Sequence, residues 1–67
     1  MRTVIRYYIS VPDANCGEKF WSGERFTCWV DDCKVYVSKS AAQKCFTKLI
    51  NSGAYMGIAL KESRYTI

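Results

Sequence analysis

The chain has 67 residues and a formal net charge of +4, and 49% of its residues are hydrophobic. A chain of this length can bury only one core, so we predict a single domain over residues 1–67 and exclude a second one. The hydrophobic and charged fractions are those of a folded protein and exclude intrinsic disorder. Five lysines and no acid lie between residues 33 and 61, so the second half of the chain is basic.

Targeting signals are not evident in the sequence. No apolar run is long enough to cross a bilayer, and Arg6 interrupts the apolar beginning of the chain. We therefore expect a soluble, unprocessed, cytoplasmic protein with no membrane partner. The four cysteines could form a disulfide scaffold, but such scaffolds normally accompany a secretory signal. We expect reduced thiols instead.

The first third of the chain predicts strands and turns. Residues 2–11 alternate between two sets of side chains in the manner of a half-buried strand, which Pro12 should end. Residues 13–17 are typical of a loop, residues 18–21 of a short strand, and residues 22–23 of a second turn.

The segment "RFTCWVDDCKVYV", residues 25–37, predicts a β-hairpin that turns at Asp31 and Asp32. A loop of two or four residues would sort its side chains onto two faces, and the sequence does not choose between these lengths. One face is apolar, with Phe26, Cys28, Val30, Cys33, Val35 and Val37. The other face carries Arg25, Thr27, Trp29, Lys34, Tyr36 and Ser38.

The strongest local signal is that of an amphipathic helix. Ser40 and Gln43 have the spacing of a capping box, and Gly53 predicts the C-terminal end of the helix. The apolar residues recur at helical spacing and form a stripe of Ala42, Cys45, Phe46, Leu49 and Ile50. The opposite face is basic, with Gln43, Lys44, Thr47, Lys48 and Asn51.

The remaining segment, residues 54–67, alternates Met56, Ile58 and Leu60 with a second set of side chains and predicts a last strand. The helix before it should return the chain parallel to the preceding strand, through a right-handed crossover. The predicted fold class is α+β: a two-layer sandwich with one helix on one face of an antiparallel or mixed sheet. We expect three to five strands, in the order β-β-β-α-β.

Residues that carry chemistry are scarce. The chain has no histidine, no C-x-x-C pair and no glycine-rich phosphate loop, so we expect no metal site and no cofactor. A nucleophilic cysteine or serine would lack its usual base, and the adjacent Asp31 and Asp32 diverge in a turn. We therefore expect no enzyme activity, and buried thiols that act as small hydrophobic groups.

A single helix covers only one face of a sheet, so the other face should be open. It would carry Arg6, Tyr8, Thr27, Trp29, Lys34, Tyr36 and Tyr55. Aromatic residues with arginine are typical of interface centres, which predicts binding to another protein or to a second copy of the chain as a homodimer. The predicted partner-binding residues on this face and on the basic helix face are Trp29, Tyr36, Lys34, Arg25, Tyr8, Arg6, Lys44 and Lys48.

Nucleic acid is the alternative partner. Bases of a single strand could stack on Trp29, Tyr36 and Tyr8 while basic residues hold the phosphates. The aromatic signature of an RNA-recognition sheet is missing from the sequence. A third possibility is duplex DNA held weakly by the helix lysines.

The block "CKVYVSKSAAQKCFTKLINSGAYMGIALKE", residues 33–62, reads as a strand, a serine-capped helix and a strand. In this order it resembles the second half of very small phage-encoded accessory proteins, which include anti-CRISPR inhibitors and the phage inhibitor of bacterial RNA polymerase. The resemblance implies a non-enzymatic inhibitor that docks on a host protein or ribonucleoprotein surface in the host cytoplasm. It supplies no binding residue, and the cysteines and the acidic segment 13–32 depart from the pattern.

Overall fold

A computed structural model describes residues 1–53 and 55–67. The strands are β1 (Thr3–Asp13), β2 (Gly17–Trp21), β3 (Phe26–Thr27) and β4 (Ala59–Thr66), and one α-helix, α1 (Lys39–Ser52), lies between β3 and β4. The four strands form one antiparallel sheet in the order β3-β2-β1-β4. The fold is α+β with the element order β-β-β-α-β, as the sequence predicts.

The core lies between α1 and one face of the sheet. Ile9, Trp21 and Leu49 are buried together, and partly buried apolar residues pack around them. The helix stripe behaves as predicted at Ala42 and Leu49, which are buried, whereas Ile50 at its margin is 50% exposed. The period of 3.6 residues therefore identifies the buried face of α1.

The prediction that Pro12 ends the first strand is wrong, because β1 continues to Asp13 and Pro12 lies opposite Glu18 of β2. The hydrogen bonds between Tyr7 and Tyr36 show that the odd-numbered residues of β1 bond on the β2 side. The nitrogen of Pro12 therefore points to the β4 side, where β4 begins only opposite Ser10. No ladder hydrogen bond is lost, so a proline is tolerated there.

The predicted short strand at residues 18–21 and the turn at residues 22–23 are confirmed. β2 and β3 form a small antiparallel hairpin, and Phe20 lies opposite Thr27. The turn closes through hydrogen bonds from the amide and the hydroxyl of Ser22 to the carbonyl of Arg25, both 2.9 Å long.

The predicted hairpin over residues 25–37 is wrong. β3 ends at Thr27, and residues 30–32 form a 3-10 turn in place of a tight β-turn. A two-residue hairpin loop requires positive φ angles, and no residue other than glycine has one in the described part of the chain. Tyr36 bonds instead to Tyr7 of β1, as an isolated antiparallel bridge.

The start of the helix also differs from the prediction. The N-cap is Ser38, it makes no side-chain capping bond, and Ser40 lies within the first turn of α1, so the Ser40–Gln43 capping box is wrong. The end is as predicted, because Gly53 has a φ of 70° and caps α1 in the left-handed conformation.

The last strand begins later than predicted, at Ala59, and Ala54 at the start of the predicted strand lies outside the described residues. β4 pairs with β1 along its whole length. Because the Tyr36 bridge and β4 are both antiparallel to β1, they run in the same direction, as the crossover predicts.

Candidate functional site

The main exposed apolar surface is on the segment between β3 and α1, residues 28–37, which we call the 28–37 loop. Trp29 is 72% exposed, Val30 65%, Val35 53% and Val37 72%. The sequence pattern predicts the three valines on a buried hairpin face, and this prediction is wrong. Several large apolar side chains exposed on one short segment indicate a candidate interaction site.

The beginning of the 28–37 loop is fixed by a disulfide. Cys16, in the turn between β1 and β2, is bonded to Cys28, with their Cα atoms 6.0 Å apart. The prediction of four reduced thiols is therefore wrong. The signal that could have found this pair is the hairpin of β2 and β3, because it returns Cys28 to the end of the sheet that holds Cys16.

The second half of the loop is fixed by backbone hydrogen bonds. The Lys34 amide donates to the Trp21 carbonyl at 2.8 Å. Tyr7 and Tyr36 exchange two amide-to-carbonyl bonds of 2.9 and 2.8 Å. Val35 lies between these two anchors and Val37 follows the second. Their side chains point outward, because successive side chains of an extended segment point to opposite sides.

The first half of the loop is a 3-10 turn with acidic residues at its tip. The Asp32 amide donates to the Trp29 carbonyl at 3.0 Å, and the Trp29 amide donates to the Thr27 hydroxyl at 3.2 Å. Asp31 and Asp32 are exposed. The indole of Trp29 is therefore in solvent, and the two exposed acids follow it in the same turn.

Tyr36 is not on an open face with Trp29, contrary to the prediction. Its half-buried ring packs against the core of Ile9, Trp21 and Leu49. The Lys34 ammonium lies 5.5 Å from the centre of the ring, within the range of a cation–π contact. Tyr36 thus anchors the 28–37 loop and is a supporting residue of the site.

The Tyr36 phenol gives the loop a pH dependence. Burial, followed by contact with the Cys45 thiol, raises the pKa of Tyr36 to about 12. The folded state therefore favours the neutral phenol. The resulting contribution to the free energy of unfolding is complete below the ordinary tyrosine pKa of about 10, and it is lost as the pH rises toward 12. We expect the absorbance at 295 nm to include a step near pH 12 that is missing in Tyr36→Phe. A titration without that step in the native protein would contradict the buried position.

Two predicted residues, Arg6 and Tyr8, do lie on the open sheet face, the side of the sheet away from α1. The Tyr8 ring packs at 6.1 Å from the Phe20 ring, and Arg6 donates to the Ile5 carbonyl at 2.9 Å. Beside Tyr8, the Lys61 ammonium bonds to Glu18 at 2.6 Å, which raises the pKa of Lys61. The acid neutralises part of this face, so it is less basic than predicted.

The other predicted residues lie apart from one another. Lys44 and Lys48 are exposed on α1, where they line a shallow groove of about 540 Å³ together with Cys45 and Asn51. Arg25 is exposed in the turn between β2 and β3. The structure therefore divides the predicted residues among the 28–37 loop, the open sheet face, the helix face and this turn, and the single aromatic and basic face does not form.

Three possible metal ligands meet at the disulfide. An oxygen of Asp13 and the sulfurs of Cys16 and Cys28 lie within 4.8 Å of one another. The two sulfurs are bonded together, and the Asp13 carboxylate accepts hydrogen bonds from the amides of Cys16 and Asn15, both at 3.0 Å. The bond from the Cys16 amide, and then that from Asn15, lowers the pKa of Asp13. In the disulfide form these groups already have partners, so the cluster works as a brace for the β1–β2 turn.

The free thiols are Cys33 and Cys45, both half-buried. Burial, and then the charge of Glu18, raises the pKa of Cys33. A raised pKa lowers the fraction of reactive thiolate at neutral pH. Cys45 packs against the core, in agreement with its place on the helix stripe.

Comparisons of the chain with protein-family models, with curated proteins and with solved structures found no match. Among residues 1–53 and 55–67, no helix is long and apolar enough to cross a membrane.

Proposed function

We propose that this chain is a small non-enzymatic binding protein that docks on a host protein or protein–nucleic acid complex, in the manner of a phage-type, anti-CRISPR-like inhibitor. The observation that carries the proposal is the 28–37 loop. It holds four exposed apolar side chains on a backbone that is anchored by a disulfide and by hydrogen bonds to two strands.

The energetics of the 28–37 loop favour a docking role. Burial of a large apolar side chain is worth about 1.5–3 kcal/mol, so a partner that covered Trp29 and the neighbouring valines would gain several such contributions. Tryptophan is also among the residues enriched at the energetic centre of interfaces. Since the anchors hold the loop in place before binding, little backbone entropy is lost on docking.

The charges of the loop suggest the chemistry of the partner surface. Asp31 and Asp32 lie between Val30 and Val35 in the chain and are exposed, and the Lys34 ammonium lies near the Tyr36 ring. The surface that fits best is an apolar pocket with basic residues at its rim. Nucleic-acid-binding host proteins and ribonucleoproteins present basic surfaces, which agrees with the inhibitor class that the residue 33–62 block resembles.

The alternative, single-stranded nucleic-acid binding, is supported less well. It needs bases to stack on Trp29, Tyr36 and Tyr8 together, but Tyr36 packs in the core and Tyr8 packs against Phe20. Asp31 and Asp32 lie in the 3-10 turn that follows Trp29 and are exposed, and their negative charges repel phosphates. The basic face of α1 with Lys44 and Lys48 carries no exposed aromatic residue.

Capture from a lysate of the candidate host tests the proposal. The immobilised chain should retain one host protein or complex in stoichiometric amount, and the captured protein component should stay bound after nuclease treatment. In parallel, short labelled single strands should neither bind in a salt-dependent way nor quench tryptophan fluorescence at two salt concentrations. Capture that disappears with nuclease, together with salt-dependent quenching, would support the nucleic-acid alternative and contradict docking on protein.

A further inference from the structure

The outer edge of β4 is a second unpartnered surface, and it is separate from the 28–37 loop. β4 is the last strand in the order β3-β2-β1-β4, so only one of its sides is paired. The 28–37 loop follows β3, which lies at the opposite edge of the sheet. An inference about the β4 edge is therefore independent of the proposed function.

The direction of the free backbone groups follows from the register with β1. Arg2 and Ile67 exchange two hydrogen bonds of 3.1 and 2.9 Å just beyond the end of the ladder. In an antiparallel pair such doubly bonded positions recur every second residue, so the odd-numbered residues of β4 bond to β1. The even-numbered residues direct their amides and carbonyls outward, and they are Leu60, Glu62, Arg64 and Thr66.

Two of these four residues carry charges, and the charges have opposite signs. Glu62 and Arg64 lie on the same face of the strand, and the Arg64 Nε donates to the Glu62 carboxylate. Charges on an edge strand normally prevent pairing with other strands. On β4 the order of the two charges disfavours some registers of a pairing strand and favours one register.

We propose that β4 pairs antiparallel with the β4 of a second copy of this chain, about a two-fold axis at Ser63. In that register Glu62 lies opposite Arg64 of the other copy, and Arg64 opposite its Glu62, so both cross-strand pairs are attractive. The outward backbone groups of these residues then form the ladder bonds. The two four-stranded sheets become one continuous sheet across the axis.

The neighbouring symmetric registers are unfavourable. A shift of the axis to residue 62 places the two glutamates opposite each other, and a shift to residue 64 does the same for the two arginines. Like charges directly opposite are destabilising in an antiparallel pair. A shift of the axis to a point between two residues places even-numbered residues of one copy opposite odd-numbered residues of the other. The odd-numbered residues direct their amides and carbonyls toward β1, so the hydrogen bonds between the two copies are lost.

The opposite face of the strand also suits this register. Lys61 lies opposite Tyr65 of the other copy, and Tyr65 is 47% exposed in one copy. The Lys61 ammonium is bonded to Glu18 across β1, so Lys61 offers its methylene groups to this ring. An interface limited to one strand edge and its side chains is small, so the dimer should be weak and concentration-dependent.

Sedimentation equilibrium over a wide range of concentrations tests the proposal. The mass of the native chain should rise from the 7.7 kDa of one copy toward twice that value. Glu62→Arg and Arg64→Glu should each lose most of the dimer, since each places like charges opposite one another. The double variant Glu62→Arg with Arg64→Glu should recover it, because the swapped charges are again complementary.

Two controls separate this edge from other surfaces. Lys44→Glu reverses a charge on α1 and should leave the dimer unchanged, and Trp29→Ala should do the same. Circular dichroism of each variant confirms that the sheet remains folded. A chain that stays monomeric at every concentration, or a dimer that both single variants keep, would overturn the inference.

Discussion

Reduction of the Cys16–Cys28 disulfide is expected to lower the free energy of unfolding by about 3 kcal/mol. The bond closes a loop with a sequence separation of 12, and the chain-entropy estimate for a loop of this size is about 3 kcal/mol. A domain this small has a narrow margin of stability, so the loss is a large part of the total. Urea unfolding with and without a reductant measures the difference.

The double variant Cys16→Ser with Cys28→Ser provides the control. It should be as unstable as the reduced native chain, and the reductant should not change it further. Equal urea midpoints for the native chain with and without the reductant would show that the bond does not constrain the loop. Cys45→Ser should still respond to the reductant, because Cys45 is a free thiol.

The disulfide also bears on where the protein works. Disulfides persist in oxidising compartments and are rare in the cytoplasm. In a cytoplasmic protein Cys16 and Cys28 would therefore be reduced. Alkylation of free thiols in intact cells, followed by mass measurement, distinguishes the two states. A chain alkylated at all four cysteines would agree with the predicted cytoplasmic location and with a loop held by its hydrogen bonds alone.

Trp29→Ala is expected to weaken partner binding by at least about 30-fold, because truncation of a central aromatic residue costs roughly 2 kcal/mol or more. The indole is 72% exposed and makes no core contact, so the fold should be retained. Titration calorimetry with the partner identified by capture measures the effect. Circular dichroism and urea unfolding confirm that the variant is folded.

Met56→Ala is the matched control, since Met56 is 90% exposed and lies outside the 28–37 loop. It should bind the partner with nearly native affinity. Val37→Ser, within the loop, should weaken binding by a smaller factor than Trp29→Ala. Native affinity in a folded Trp29→Ala variant would exclude the loop as the docking surface.

The parts of the fold that sequence predicts are those with a local cause. The apolar stripe of α1 follows from the helical period, and Gly53 ends the helix because it accepts a left-handed conformation. The alternation of β1 and the turn after β2 are local signals as well. Together they are enough for the element order and the fold class.

The 28–37 loop could not be predicted because its conformation depends on distant residues. Tyr36 pairs with Tyr7 rather than with a neighbour, and Cys28 bonds to Cys16. The side chains of the second half of this segment do alternate between two sides, but the predicted hairpin would bury the valines and expose Tyr36. Instead, Tyr36 is in the core, and the valines are in solvent.

The helix cap and the open sheet face show the same limit. Ser38 and Ser40 are both suitable N-cap residues, and the choice depends on where the chain leaves the Tyr36 bridge. On the sheet face, the sequence places Arg6 and Tyr8 correctly. It does not reveal the acid that pairs with Lys61, because that contact joins two strands across β1.

Amide hydrogen exchange of the 28–37 loop, followed by NMR, tests most directly whether the loop is held to the sheet while its apolar side chains stay in solvent. The amides of Tyr7, Lys34 and Tyr36 donate backbone hydrogen bonds, so they should exchange slowly. The amides of Val35 and Val37 have no such bond and should exchange rapidly. Rapid exchange at Lys34 and Tyr36 in the oxidised protein would contradict an anchored loop.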